Sequence, residues 1–520
     1  MEVFYITTPI YYPNAPPHVG HAYTSLFADV LARFKRLTGA KVFYLTGNDE
    51  HGLKIQRAAE SQNKHPKVFV DEMAEVFKKY WRSLDISYDY FIRTTDELHE
   101  KTVKEAFTYI YKKGYIYRAK YSGLYCVDCE KYYSQGEYIE VEGKPYCPLH
   151  NKPLEYMEEE TYYFKLSDFK DYLLDLLENR DIVYPKHYAQ EIVSKLRSEE
   201  LRDVSVARPA ERVWWGIPVP FDENYVIYVW FDALLNYISA AHYFDNKEVF
   251  KELWSNVHHV IGKDILWFHT VVWFSILRAL DLDPPKRLIV HAFLTSKGAK
   301  MSKSVGNIVS IDELLQRYGV DGSRYLLARI FNMDKDSEFN FELLDSIYTS
   351  ELVDTYGNLV RRVGVLTQKK CGGKIYRRSI DARIADEVLV KIGDYFDAMK
   401  NYEVSRAAQV AIEVATLGNQ YLNETKPWEK SDPGRELYNA LELIRVSATL
   451  LAPITTRASR VLSEKFGFSV ENPLKLRLES VERYNVSEAP ILFRKLKTTL
   501  KQGQETSGQQ ASSQQIDSNL

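Results

Sequence analysis

The chain has 520 residues, 45% apolar and 27% charged, with a formal net charge of -3. Such a length supports several domains and a large buried core, and this balance is ordinary for a globular protein. It argues against a membrane-spanning or secreted chain: no apolar run is long enough to cross a bilayer and no basic-then-apolar leader opens the sequence. A near-neutral total still leaves room for a local basic face that meets nucleic acid. Of four cysteines, three fall in one short segment, which does not suit a disulfide framework and points to a reducing, cytoplasmic setting.

In chain order, Val3-Phe4-Tyr5-Ile6-Thr7-Thr8 reads as a buried strand running into a Pro-rich loop (Pro9, Pro13, Pro16, Pro17). A helix follows from about His18 to Leu37, with Phe27, Val30, Leu31 and Phe34 at helical spacing and Gly39 closing it. Val42 to Leu45 reads as a second strand, ending in Thr46-Gly47-Asn48-Asp49-Glu50-His51-Gly52. Strand, helix and strand, with polar loops at the carboxyl ends, open a nucleotide-binding α/β sheet. Helices are expected to continue to about Tyr115. From Tyr121 to Glu160 short β-like runs with glycines and cysteines suggest an insert, and strand-helix alternation resumes at Tyr225 to Trp230, at His258 to Gly262 and at Leu288 to His291. From about Phe341 the pattern turns helical, which predicts a bundle. From Gln502 onward Gln, Ser and Gly dominate, which predicts a disordered tail.

Two polar clusters carry the chemistry. His18-Val19-Gly20-His21 opens the first helix, so two imidazoles on its first turn, with Gly20 leaving the backbone open to a ligand, can hold phosphate oxygens. Lys300-Met301-Ser302-Lys303-Ser304 follows a late strand between Gly298 and Gly306, and its lysines can neutralise charge developing on leaving pyrophosphate. Alone, the first reads as two histidines satisfied by backbone and the second as a basic surface loop. Together, in this order, they read as an adenylation site. Cys126-x-x-Cys129 with Cys147-x-x-His150 has the spacing of one four-ligand, structural zinc site, while Cys371 reads as an ordinary thiol. Asp49 at a strand end suits an ammonium group, or else an N-cap for the next helix. Gly262-Lys263-Asp264 allows close approach and a ribose contact. Trp230, Tyr237, Trp273 and His269 are core filling or the walls of a pocket for a polarizable thioether.

These clusters resemble the two signatures of the class I aminoacyl-tRNA synthetases. Pro9-Ile10-Tyr11-Tyr12, the Thr46–Gly52 loop, Tyr228-Val229-Trp230-Phe231-Asp232-Ala233, Gly262-Lys263-Asp264-Ile265, Gly357-Asn358-Leu359-Val360-Arg361-Arg362 and Lys426-Pro427-Trp428 narrow the likeness to the methionyl-tRNA synthetase family, over nearly the whole chain to about residue 490. The resemblance implies an α/β, Rossmann-like parallel-sheet catalytic domain in two halves (1–115 and 201–340), a zinc-knuckle connective insert (116–200), an all-α anticodon-binding bundle (341–490) and a polar tail (491–520). It implies that Ile10, Trp230, Ala233, Leu234, Tyr237, Ile265, His269 and Trp273 hold the methionine side chain and Asp49 its amino group. His18, His21, Gly262, Asp264, Lys300 and Lys303 match the ATP-handling set, with His18, His21, Lys300 and Lys303 catalytic. Arg208 matches a basic residue near the reacting groups, and Asn358, Arg362 and Trp428 match residues that read the CAU anticodon.

The implied reaction joins L-methionine to Mg-ATP as methionyl-adenylate, then passes the methionyl group to the terminal adenosine of tRNA(Met). Asn48 stands where the family commonly has threonine or aspartate, which predicts a modest change in loop hydrogen bonding. Without the C-terminal tRNA-binding domain of some relatives, a monomer is expected, with a separate tRNA-binding partner as a further source of affinity. The insert is too small for an editing domain. Two rivals stand beside this reading. One is a synthetase of the same fold for another amino acid, such as leucine or cysteine. The other is a non-enzymatic paralogue that binds RNA, for which neither signature would be needed.

Overall fold

The computed structural model describes residues 2–126, 131–133, 138–141, 143–148, 151–296, 299–300, 309–470 and 472–496. Six strands, β1 (Val3–Thr7), β2 (Lys41–Asn48), β3 (Tyr90–Arg93), β4 (Val183–Tyr184), β5 (Val257–Gly262) and β6 (Arg287–His291), form one sheet in the order β3-β2-β1-β5-β6-β4. Every neighbour pair is parallel. Such a sheet is covered on both faces, and β5 accordingly reads as an unbroken buried run. From β1 the chain winds first to β2 and later to β5 on the other side. The topological switch therefore lies between β1 and β5, where a crevice opens at the strands' carboxyl ends. This is the Rossmann-like α/β architecture expected, followed by a helical C-terminal region.

Helix α1 (Val19–Leu37) packs on the sheet through Leu26, Phe27, Val30 and Leu31, and Lys35 and Arg36 complement its carboxyl end. The apolar core under α1 continues through Leu326 and Leu327 into the bundle helices that carry Val410 and Ile444. A second core covers the other face. Arg324 is fully buried where these parts meet. Its guanidinium donates to Asp29 Oδ2 of α1 (2.7 Å), to the carbonyl of Leu84 (2.8 Å) and to that of Ile454 (2.7 Å). Burial alone would push the Asp29 carboxyl up; Arg324, Arg33 and the Ser87 hydrogen bonds outweigh it and hold it low.

Three segments differ from expectation. The helical stretch predicted up to Tyr115 is broken by β3, an edge strand too short to show a period. The Tyr225–Trp230 run does not join the parallel sheet. Its strand, Asp222–Ile227, pairs antiparallel with Ala207–Pro209 and Pro218–Val219, and a helix, Val229–Leu234, starts at once. The sixth strand, β4, comes from within 116–200. That region otherwise centres on the antiparallel pair Ile116–Cys126 and Glu155–Phe164.

The bundle comprises Asn358–Cys371, Ala382–Lys400, Val404–Thr425, Gly434–Leu451 and Thr456–Phe466. A Cβ on Gly418 would come within 2.7 Å of Leu359, so glycine is what lets Val404–Thr425 approach Asn358–Cys371. No helix among the described residues is long and apolar enough to cross a membrane.

Candidate functional site

At the switch crevice His18 and His21 cap α1 reciprocally. Gly20 N–H donates to His18 Nδ1 (3.0 Å) and His18 N–H to His21 Nδ1 (3.1 Å). With each Nδ1 accepting, the neutral rings carry their protons on Nε2 and present N–H donors, which suits anionic oxygens at a helix N-terminus. A Cβ on Gly20 would sit 2.8 Å from His18 Cε1. The glycine is therefore required by the folded-back imidazole itself, not only by ligand access.

The second signature is rooted beside the first. Ala299–Lys300 pairs antiparallel with Leu294–Ser296, and beyond the loop Val309 accepts from Val19 N–H (3.2 Å) while Ser310 bridges His18. Lys300 is described in its backbone only, and Lys303 lies outside the described residues. Gly262 ends β5, where a Cβ would meet Asp264 Oδ1 at 2.6 Å, which explains the glycine before that acid.

Asp49 follows β2 directly and is buried, with Oδ1 lacking a hydrogen-bond partner among the described residues. Burial, followed by the nearby Asp232 carboxylate, pushes its carboxyl well above the usual range. It is not a helix cap, since Gly52 takes that position for Leu53–Glu60. Asn48 donates to the Tyr11 carbonyl (3.2 Å). His51 Nδ1 lies 2.7 Å from Asp232 Oδ2 and His99 Nε2 2.7 Å from Asp232 Oδ1. Burial would raise the Asp232 carboxyl, but the His51 charge and both imidazole hydrogen bonds hold it low. Burial would likewise lower His51, and Asp232 reverses it to a net rise.

Around the neighbouring apolar core lie Leu234, Tyr237 and Trp273, with Ile10, Trp230 and Ile265 partly buried against them and Ala233 buried beside them. Trp230 stacks on Phe268 at 3.8 Å. His269 Nδ1 faces the Ile265 carbonyl (3.0 Å), so its Nε2 accepts from the Tyr237 hydroxyl (2.8 Å). Burial brings His269 down to about 4, so the ring is neutral near pH 7. His269 and Trp273 stand on a π-helical stretch, Phe268–Trp273, a form concentrated at functional sites. Arg208 is buried with its guanidinium 3.9 Å over the Tyr228 ring.

On the bundle, Asn358 and Arg362 lie one turn apart at the start of Asn358–Cys371, and the Arg362 guanidinium lies 5.7 Å over Trp428. Arg362 donates to Asn423 Oδ1 at 2.9 Å. In the insert, Cys126 and Cys147 share a small buried cluster with Tyr133 and Leu154. Cys129 and His150 lie outside the described residues, and no metal-binding group of three or more ligands occurs among the described ones. Sequence reasoning passed over His99, Asp232 and Asn423 as site residues. Asp232 had a visible signal, an acid inside the apolar run Val229-Trp230-Phe231-Asp232-Ala233-Leu234. His99, far away in sequence, had none.

A parallel sheet with one signature at its switch point and the roots of the second beside it is the catalytic fold of a class I aminoacyl-tRNA synthetase. The family model of class I tRNA synthetases (M) matches residues 4–152 and 143–364, and that of the anticodon binding domain of methionyl tRNA ligase matches 372–505. The methionine–tRNA ligase of Thermotoga maritima is 39% identical over 488 residues, 92% of this chain and 77% of that protein. The chloroplastic/mitochondrial ligase of Arabidopsis thaliana is 39% identical over 490 residues, 90% and 78% respectively. Mycobacterium tuberculosis methionyl-tRNA synthetase in complex with methionyl-adenylate superposes with a TM-score of 0.88 at 31% identity, covering 95% of this chain and all of that one. The chain belongs to the methionyl-tRNA synthetase family.

Proposed function

We propose that this chain activates L-methionine with ATP to methionyl-adenylate and transfers the methionyl group to the 3' end of tRNA(Met). The observation that carries the reading is Asp49: a buried carboxyl whose Oδ1 has no partner among the described residues, near Asp232 on the helix that also carries Trp230, Ala233 and Leu234. An ammonium supplies what that oxygen lacks. Ile10, Trp230, Ala233, Leu234, Tyr237, Ile265, His269 and Trp273 take the side chain. The Nε2–H groups of His18 and His21 hold the triphosphate, with Gly262 and Asp264 on the nucleoside side. Lys300 and Lys303 stabilise charge on the departing pyrophosphate. Catalysis is positioning and charge stabilisation, with no covalent enzyme intermediate.

Magnesium enters with ATP and offsets phosphate charge. Cys126, Cys129, Cys147 and His150 would hold one structural zinc; the burial of Cys126 and Cys147 in one small cluster fits that donor set. Asn358, Arg362 and Trp428 read the anticodon. The protein acts in the cytoplasm as a monomer, with a separate partner as a further source of tRNA affinity. The test is amino-acid-dependent ATP–pyrophosphate exchange across the standard amino acids. Exchange with methionine alone is expected. Exchange with another amino acid overturns the pocket, and none at all from folded protein favours an RNA-binding paralogue.

A further inference from the structure

We propose that Asp232, clamped between His51 and His99, is a positioning residue that locks the ammonium anchor to the side-chain pocket. The inference deepens the reading above and rests on it. Asp232 sits in the Val229–Leu234 helix among Trp230, Ala233 and Leu234, whereas His51 belongs to the loop that carries Asp49. One carboxylate oxygen meets each imidazole at 2.7 Å. His99 comes from a third element, Glu97–Lys112, and its Nδ1 lies 2.9 Å from Ser239 Oγ, whose hydroxyl donates to the Leu235 carbonyl. Asp232, His99 and Ser239 are all fully buried and His51 nearly so.

This hydrogen-bonded chain joins the Asp49 loop to the helix that carries Trp230, and its members act by fixing where Asp49 and Trp230 stand. Other charged groups around it are themselves held. Glu50 is buried against Arg93 (2.7 Å) and Thr95 (2.6 Å), and Glu100 lies near His51. Asp232 also has an electrostatic consequence, because its charge opposes ionisation of Asp49, an effect that an ammonium bound at Asp49 would offset.

The experiment measures methionine-dependent ATP–pyrophosphate exchange by the full chain and its Asp232→Asn variant from about pH 5.5 to 8.5, the range in which shifted carboxyls and histidines titrate. Asparagine keeps the shape and removes the charge. Expected are a rise in KM for methionine of about tenfold or more, as for loss of a charge-assisted contact, an unchanged KM for ATP, and an acid limb of kcat/KM moved to lower pH. An unaltered KM for methionine with the limb in place overturns the inference. So does a fall in kcat alone, which a merely structural Asp232 would produce by reducing the folded fraction. Should Asp232→Asn not fold, His99→Gln keeps a donor and must show the same selective rise in KM for methionine; equal KM values overturn the inference. Absence of methionine exchange in the unmodified chain would instead remove the reading on which it rests.

Discussion

In the sheet region the polar groups of the proposed amino-acid site are buried, whereas on the bundle the groups proposed to meet tRNA stand at the surface. Asp49, Asp232, Tyr237 and His269 are each below a tenth exposed, while Trp428 is 37% exposed and Asn358 open to solvent. The difference suits the proposed ligands. A small amino acid must be recognised by groups fixed before it arrives, in a space that excludes water. An unstacked base needs an accessible ring to stack on and donors able to adjust. The two regions nevertheless share one device, a π-helical stretch: Phe268–Trp273 carries His269 and Trp273, and Tyr348–Gly357 leads into Asn358.

The contrast is sharpest where the regions are joined. Arg324→Ala would leave the buried Asp29 with only Arg33 as a cation and strip the carbonyls of Leu84, Asp85, Pro453 and Ile454 of a donor. A loss of about 3–5 kcal/mol is expected in urea unfolding, in line with breaking one side of a buried pair. A loss below 1 kcal/mol (about a surface pair) would mean that the junction does not depend on this network. Next in size is Lys303→Ala, expected to slow adenylate formation by about 100- to 1000-fold while methionine binding, measured by calorimetry, stays unchanged. Comparable losses in both would place Lys303 in the ground-state site rather than on the departing phosphates.

Much of the sheet was legible because its signals are local. The capping histidines sit three apart after a strand, and the strand ends at Asp49 and Gly262 carry their polar residues with them. What escaped depends on distance in the sequence or on shortness. The four-residue β3 has no room for a period, and the Tyr225–Trp230 run looked like a buried parallel strand because apolar runs do not reveal their partners. His99 and Asp232 are 133 positions apart, so their bond exists only in the fold. Asn358, Arg362 and Trp428 were named only through resemblance; alone, Asn358 and Arg362 read as a solvated helix face and Trp428 as a core tryptophan after a helix end.

The regions also differ in how they meet acid. All 12 histidines precede position 292, so the bundle holds none. Burial depresses His258 and His269 to about 4. Between that value and the unfolded pKa of about 6.5 the unfolded chain binds the proton and the folded one does not, so stability falls as pH drops through this window. Each group costs up to about 3 kcal/mol at the lower end. Guanidinium unfolding at pH 7 and 5 should show the loss, and His258→Gln should recover part of it. A pH-independent midpoint in the unmodified chain would show that these rings charge in place.

The smallest effect is expected on the exposed side. Trp428→Ala removes the stacking surface and the ring beneath Arg362. Charging of tRNA(Met) should weaken by about 1–3 kcal/mol in kcat/KM, the range for one lost base–aromatic stack, with ATP–pyrophosphate exchange unaltered. Trp428→Phe keeps a ring and should lose less than half of that. Arg362→Lys keeps the charge but not the planar fork that meets Asn423 and covers Trp428, so it should fall between the two. If any of the three lowers pyrophosphate exchange as well, the bundle surface is coupled to the sheet site, and the separation between a preorganised buried site and an adaptable exposed one does not hold for this protein.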